Sequence, residues 1–115
     1  MTLSRLSPPV AAALEAFASQ VRSRFGERVR ELALFGSHAR GDAHPESDVD
    51  ILVVIDDVSF DEIREVIRIA YDIDAADDAG WVGLAPVTLS TAAAADMRAR
   101  ERLLLKDVAR DGVAL

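Results

Sequence analysis

The chain has 115 residues, half of them hydrophobic, and a formal net charge of −7 from 13 basic and 20 acidic side chains. That length suits one folded unit with a real core, while the acidic balance argues against extended DNA or RNA binding, which needs a cationic surface. No apolar run approaches the roughly 20 residues of a membrane helix, and cysteine is absent, so disulfides and thiolate metal sites are excluded.

The N-terminus, MTLSRLSPPV, has no apolar stretch of signal-peptide type, and a cytoplasmic setting without a membrane partner is the expectation. Ser7 before Pro8 and Pro9 marks a helix start, and Val10, Leu14, Phe17, Val21 and Phe25 repeat at helical spacing up to a stop at Gly26. Val29 to Phe35 reads as a short strand closed by Gly36 and Ser37, and Gly41 to Ser47 as a polar loop. A second strand, Val49 to Ile55, carries Ile51, Leu52, Val53 and Val54 in succession and is expected at the centre of a sheet, buried on both faces. Ser59 then stands at an N-cap position, with Asp61 and Glu62 in the first turn, and Ile63, Val66, Ile67, Ala70 and Tyr71 give that helix its apolar stripe. The acidic DIDAADDAG leads through Gly80 into a third strand, Trp81 to Leu89, whose Pro86 points to a sheet edge. Ser90 or Thr91 caps a last helix with Met97, Leu104 and Val108 on one side, ending near Gly112. No repeat or linker divides the chain, so residues 1–115 read as a single domain. The order α-β-β-α-β-α predicts an α/β or α+β fold, a small mixed sheet flanked by helices.

The chemistry concentrates between Leu34 and Val54, in LFGSHARGDAHPESDVDILVV. Gly36 and Ser37 end a strand where HARG can open a short helix, and the unpaired N–H groups of such a turn suit a phosphate. Asp48 and Asp50, two apart on a strand, project from one face, where their like charges repel unless a cation lies between them. A hard ion such as Mg²⁺ takes one or two carboxylates, phosphate oxygens and water. Arg40 can reach a phosphate through its guanidinium fork, or pair with Asp42 or Glu46.

GSHARG from Gly36 to Gly41, followed by SDVDILVVID from Ser47 to Asp56, resembles the Gly-Ser…Arg-Gly…Ser-Asp-x-Asp signature of the DNA polymerase β-like nucleotidyltransferase superfamily, and most of all its small minimal nucleotidyltransferase branch. The closing RLLLKDVARDGVAL is similar to C-termini of that family. The resemblance implies the polymerase β-like fold, with Gly36, Ser37, Arg40 and Ser47 binding nucleotide and Asp48 and Asp50 serving as catalytic metal ligands for one or two Mg²⁺ ions. Ser47 reads as shaping the turn before the strand. The implied reaction transfers a nucleoside monophosphate, AMP from ATP, to a hydroxyl acceptor; phosphoryl-type transfer needs mainly positioning and charge neutralisation. Minimal nucleotidyltransferases are often antitoxins of helical HEPN toxins, some of which they inactivate by adding AMP to a tyrosine. The length leaves no room for a separate acceptor-binding domain, so a protein partner is expected to supply that surface.

Active members of the superfamily add a third carboxylate from a neighbouring strand, and Trp81 to Leu89 contains none. The alternative is a weakened or inactive module that binds nucleotide or masks a partner. Asp77 and Asp78 belong to what reads as a solvated turn, and Asp56 and Asp57 lie at the far end of the strand, roughly 20 Å from Asp50 at about 3.3 Å per residue. His38 and His44 are expected at the surface, Trp81 and Tyr71 in the core rather than on a base, and RARER, Arg98 to Arg102, on a solvated helix face or against an acidic partner.

Overall fold

The computed structural model describes residues 6–44, 47–76, 81–100 and 108–115. Helix α1, Pro8–Phe25, opens after an extended Ser7 with its two prolines in the first turn and stops at Gly26, whose φ of 59° suits glycine. A single 3₁₀ turn, Gly26–Arg28, leads into β1, Val29–Phe35. The short helix α2, Ser37–Arg40, precedes β2, Val49–Ile55. Helix α3, Phe60–Ala76, β3, Leu84–Ser90, α4, Thr91–Ala99, and β4, Val113–Ala114, follow.

The sheet runs in the order β3-β2-β1-β4, with β2 antiparallel to β1 and parallel to β3, and β4 antiparallel to β1. β2 is therefore internal, and its apolar run follows from burial on both faces. Val49, Ile51, Val53 and Ile55 join Leu14, Phe17 and Val21 of α1 and Val66 and Ala70 of α3 in the larger core. Leu52 and Val54 face the other way and meet Ala33, Phe35, Ala94 and Val108. Strand alternation puts Asp48 and Asp50 on this second, more thinly covered face. Pro86 lies on the edge strand, where its missing N–H costs no ladder bond on the open side.

Four expectations need correction. Tyr71 and Trp81 are 59% and 62% exposed, and Ile67 is 53% exposed. α3 turns Val66 and Ala70 fully inward, with Ile69 and Ile73 packed beside them, so the Ile67–Tyr71 flank of its stripe faces outward. The helix also runs on to Ala76, which carries Asp74 from an expected solvated turn into the interior, where it is 4% exposed. The third strand starts at Leu84 rather than Trp81, and the last helix is shorter than its pattern: α4 ends at Ala99, and residues 108–111 are helical again. Asp77, Asp78, Gly80 and Glu46 lie outside the described residues, as do Arg102 and Leu104. Among the described residues no helix is long and apolar enough to cross a membrane.

Candidate active site

The site forms where β1 ends beside the start of β2, with Phe35 opposite Asp50. Gly36 turns the chain there with φ 77° and ψ −156°, a conformation that L side chains avoid. Asp50 lies directly over it. A Cβ on Gly36 would collide with Asp50 Oδ2 and stand 3.3 Å from its Cγ, so glycine at 36 is what lets the carboxylate approach the turn. Arg40 and Gly41 donate backbone N–H bonds to the carbonyls of Gly36 and Ser37, and Asp42 N–H also reaches Ser37. The N–H groups of Ser37, His38 and Ala39, in the first turn of α2, have no intrahelical acceptor.

Asp48 is exposed and Asp50 half-buried. Burial pushes the Asp50 carboxyl above its usual range and the charge of Asp48 adds to the shift, while His38 and Arg40 oppose it. Neither carboxylate accepts a hydrogen bond from any described residue. The donor set fits a hard divalent cation that completes its shell with phosphate oxygens and water, because a positive charge here removes the penalty on the buried carboxylate and the repulsion between the pair. Asp48 and Asp50 would hold it. A third carboxylate does not join them: no group of three His, Cys, Asp or Glu side chains is placed to hold a metal among the described residues. On the parallel neighbour β3, Val49, Asp50 and Ile51 face Leu84, Ala85 and Pro86.

Arg40 is exposed and pairs with Asp42 at 3.2 Å. Ser47 braces the loop: its N–H donates to the His44 carbonyl at 2.9 Å, and its Oγ accepts from the His44 N–H at 3.1 Å. His44 is exposed as its setting predicts, but His38 is partly buried, with Nε2 3.2 Å from the Ser47 carbonyl. His38 thus ties α2 to the turn that precedes Asp48. Arg98 pairs with Glu31 and Arg100 with Asp96, so the described part of RARER is a face occupied by its own ion pairs.

Asp74 is the residue sequence reasoning missed. Its two carboxylate oxygens accept the backbone N–H groups of Val82 and Leu84, each at 2.9 Å. Between them sits Gly83, φ 81°, where a Cβ would stand 3.3 Å from Asp48 Oδ1, and Gly83 O accepts the Val49 N–H. Asp74 therefore fixes the segment against which Asp48 lies. The signal was a lone acidic residue at the helical spacing of Ala70, hidden within an acidic run.

A family model described as a nucleotidyltransferase domain matches residues 14–81. Protein adenylyltransferase MntA of Thermococcus cleftensis is 46% identical over 55 residues, 48% of this chain and 48% of that protein. A "Putative protein adenylyltransferase" of Methanocaldococcus jannaschii is 45% identical over 54 residues, 47% of this chain and 53% of that protein. The matched segment thus spans about half the length of these curated relatives. Among solved structures, a crystal structure described as a toxin-antitoxin with AMP-PNP superposes with a TM-score of 0.55 at 20% identity, covering 87% of this chain and 70% of that one. At that identity the likeness is one of fold.

Proposed function

The chain belongs to the nucleotidyltransferase domain family, and from that premise we propose that it is a protein adenylyltransferase, moving AMP from ATP onto a hydroxyl of a partner protein. The observation that carries this reading is the seating of Asp50 over Gly36, which brings one carboxylate of the Asp48–Asp50 pair against the Gly-Ser turn. The family implies a nucleoside triphosphate substrate and a divalent metal. Mg²⁺ at this site would neutralise the phosphates and activate the attacking oxygen. The N–H groups of the Ser37 turn would bind phosphate oxygens, with Arg40 on the exposed side of the loop and Ser47 and His38 holding its shape. The acceptor oxygen bonds to the α-phosphorus, the bond from that phosphorus to the bridging oxygen breaks, pyrophosphate leaves, and the hydroxyl proton passes to water. The acceptor we favour is a tyrosine of a HEPN-type toxin, as the superfamily resemblance implies, which makes this chain an antitoxin; the relatives named as protein adenylyltransferases support a protein acceptor, and the toxin-antitoxin neighbour supports a toxin partner.

A second reading, a module that binds nucleotide and masks its partner without turnover, is favoured by Leu84, Ala85 and Pro86 standing on β3 where the superfamily resemblance leads one to look for a third carboxylate. One assay separates the two. The protein is incubated with α-labelled ATP, Mg²⁺ and the partner encoded by the adjacent gene. Label on the partner that disappears with Asp48→Asn supports transfer, and a tight complex that stays unlabelled supports masking.

A further inference from the structure

Trp81 is the chain's single tryptophan and is 62% exposed. An indole left that open forgoes most of the burial its large apolar surface offers. It is nevertheless held in place. Tyr71, from the outer flank of α3, meets it edge-on with ring centroids 5.6 Å apart and planes at 72°. The indole Nε1 lies 4.0 Å from the point where Gly83 would carry a Cβ, and Asp48 Oδ1 lies 3.3 Å from that same point. The ring and the carboxylate are thus neighbours across one glycine.

Trp81 also forms part of the wall of a cleft of about 540 Å³. His38, Gly41 and Ser47 of the α2 loop also line it, as do Pro9 and Val10 of α1. This volume falls within the ~300–1,000 Å³ range of small-molecule sites. The cleft is therefore shared by Trp81 and by His38, whose backbone is among the candidate phosphate donors, while Ser37, Asp48 and Asp50 do not line it.

We propose that Trp81 is the stacking platform for the purine base of the bound nucleotide, with Tyr71 as the positioning residue that holds the indole. The inference rests on the nucleotide-binding reading above and extends it to the base. Stacking suits this surface because every base has a π-face and a purine has the larger one, so the platform favours purine over pyrimidine triphosphates without reading hydrogen-bond patterns.

Because the chain has one tryptophan, its emission reports this residue alone. The full-length protein is titrated with Mg²⁺-ATP while fluorescence and calorimetry are followed in parallel. The expected result is a saturable change in Trp81 emission whose midpoint equals the calorimetric Kd, with Mg²⁺-tripolyphosphate binding but leaving the emission nearly unmoved. Trp81→Ala should weaken ATP binding on the order of 10-fold and leave tripolyphosphate affinity unchanged, and Trp81→Phe should recover most of the loss. Tyr71→Ala should lose part of the ATP affinity and Tyr71→Phe none, because only the ring is needed to hold the indole. ATP that binds by calorimetry with unmoved emission, and equally well to Trp81→Ala, overturns the inference while leaving nucleotide binding intact. Emission that shifts only when the partner protein is added overturns it in favour of a protein contact. Absence of any heat with ATP or tripolyphosphate overturns the underlying reading instead.

Discussion

At the Ile55 end of β2, Asp56 and Glu62 are engaged by neighbouring donors. Asp56 accepts from Arg30 and Thr91, Arg28 donates to the Asp56 carbonyl, and Glu62 takes both guanidinium donors of Arg28 at 2.8 Å while closing a capping box with Ser59. At the Val49 end, Asp48 and Asp50 face each other's charge with no hydrogen-bond donor among the described residues. The carboxyls respond in opposite directions: Asp56 is held below its usual range by Thr91 and Arg30, Glu62 is drawn down to about 2 by Arg28, and Asp50 is pushed up by burial. One strand thus has an end whose acids are paired within the fold and an end where burial and the charge of Asp48 work against the ionised Asp50. That difference is the physical mark of a site, since unpaired charge at a strand mouth is costly unless something binds there.

The contrast can be broken most completely at Gly36. Gly36→Ala forces a Cβ into Asp50 at a positive φ, and we expect transfer and Mg²⁺-ATP binding to fall below detection, with a stability loss of about 1–3 kcal/mol in a urea titration. Next in size is Asp74→Ala, which leaves the N–H groups of Val82 and Leu84 without their buried acceptor. It should cost roughly 1–3 kcal/mol by the same titration, and loosen the Gly83 segment enough to weaken, though not abolish, nucleotide binding although Asp74 stands outside the site. The smallest effect belongs to the stable end. Glu62 has a folded-state pKa of about 2 against an ordinary 4.5, so its contribution is complete above the ordinary value and is lost as pH falls toward 2. Glu62→Gln should lower the melting temperature slightly at pH 7 and flatten its decline between pH 4.5 and 2. An unchanged acid limb would show that the Arg28 pair is too solvated to matter.

Much of this was readable in the sequence, and the exceptions share a cause. β1 and β2 begin and end where the pattern placed them, because strands bounded by glycine and polar turns leave few alternatives. The pairing of Gly36-Ser37 with Asp48 and Asp50 was legible as a spacing, but the contact of Asp50 with Gly36 needed the antiparallel register of β1 and β2. β4, two residues long, carries no period that a sequence can display. Ile67 and Tyr71 were expected inside because apolar residues at helical spacing form a wide stripe, and Trp81 because it was read as opening the third strand. Only packing decides how much of that stripe the sheet and α1 cover. Asp74 failed in the other direction: its burial depends on two N–H groups eight and ten residues away, which composition cannot report.

The central claim is that Asp50 destabilises the empty fold and binds the loaded one, and Asp50→Asn tests both halves in one pair of measurements. Removing the charge relieves the repulsion with Asp48 and the burial penalty, so the melting temperature without ligand should hold or rise. Calorimetry with Mg²⁺-ATP should show the variant on the order of 10-fold or more weaker than the wild type. A variant that melts lower and binds Mg²⁺-ATP as well as the wild type would contradict the account, because Asp50 would then be one more structural carboxylate.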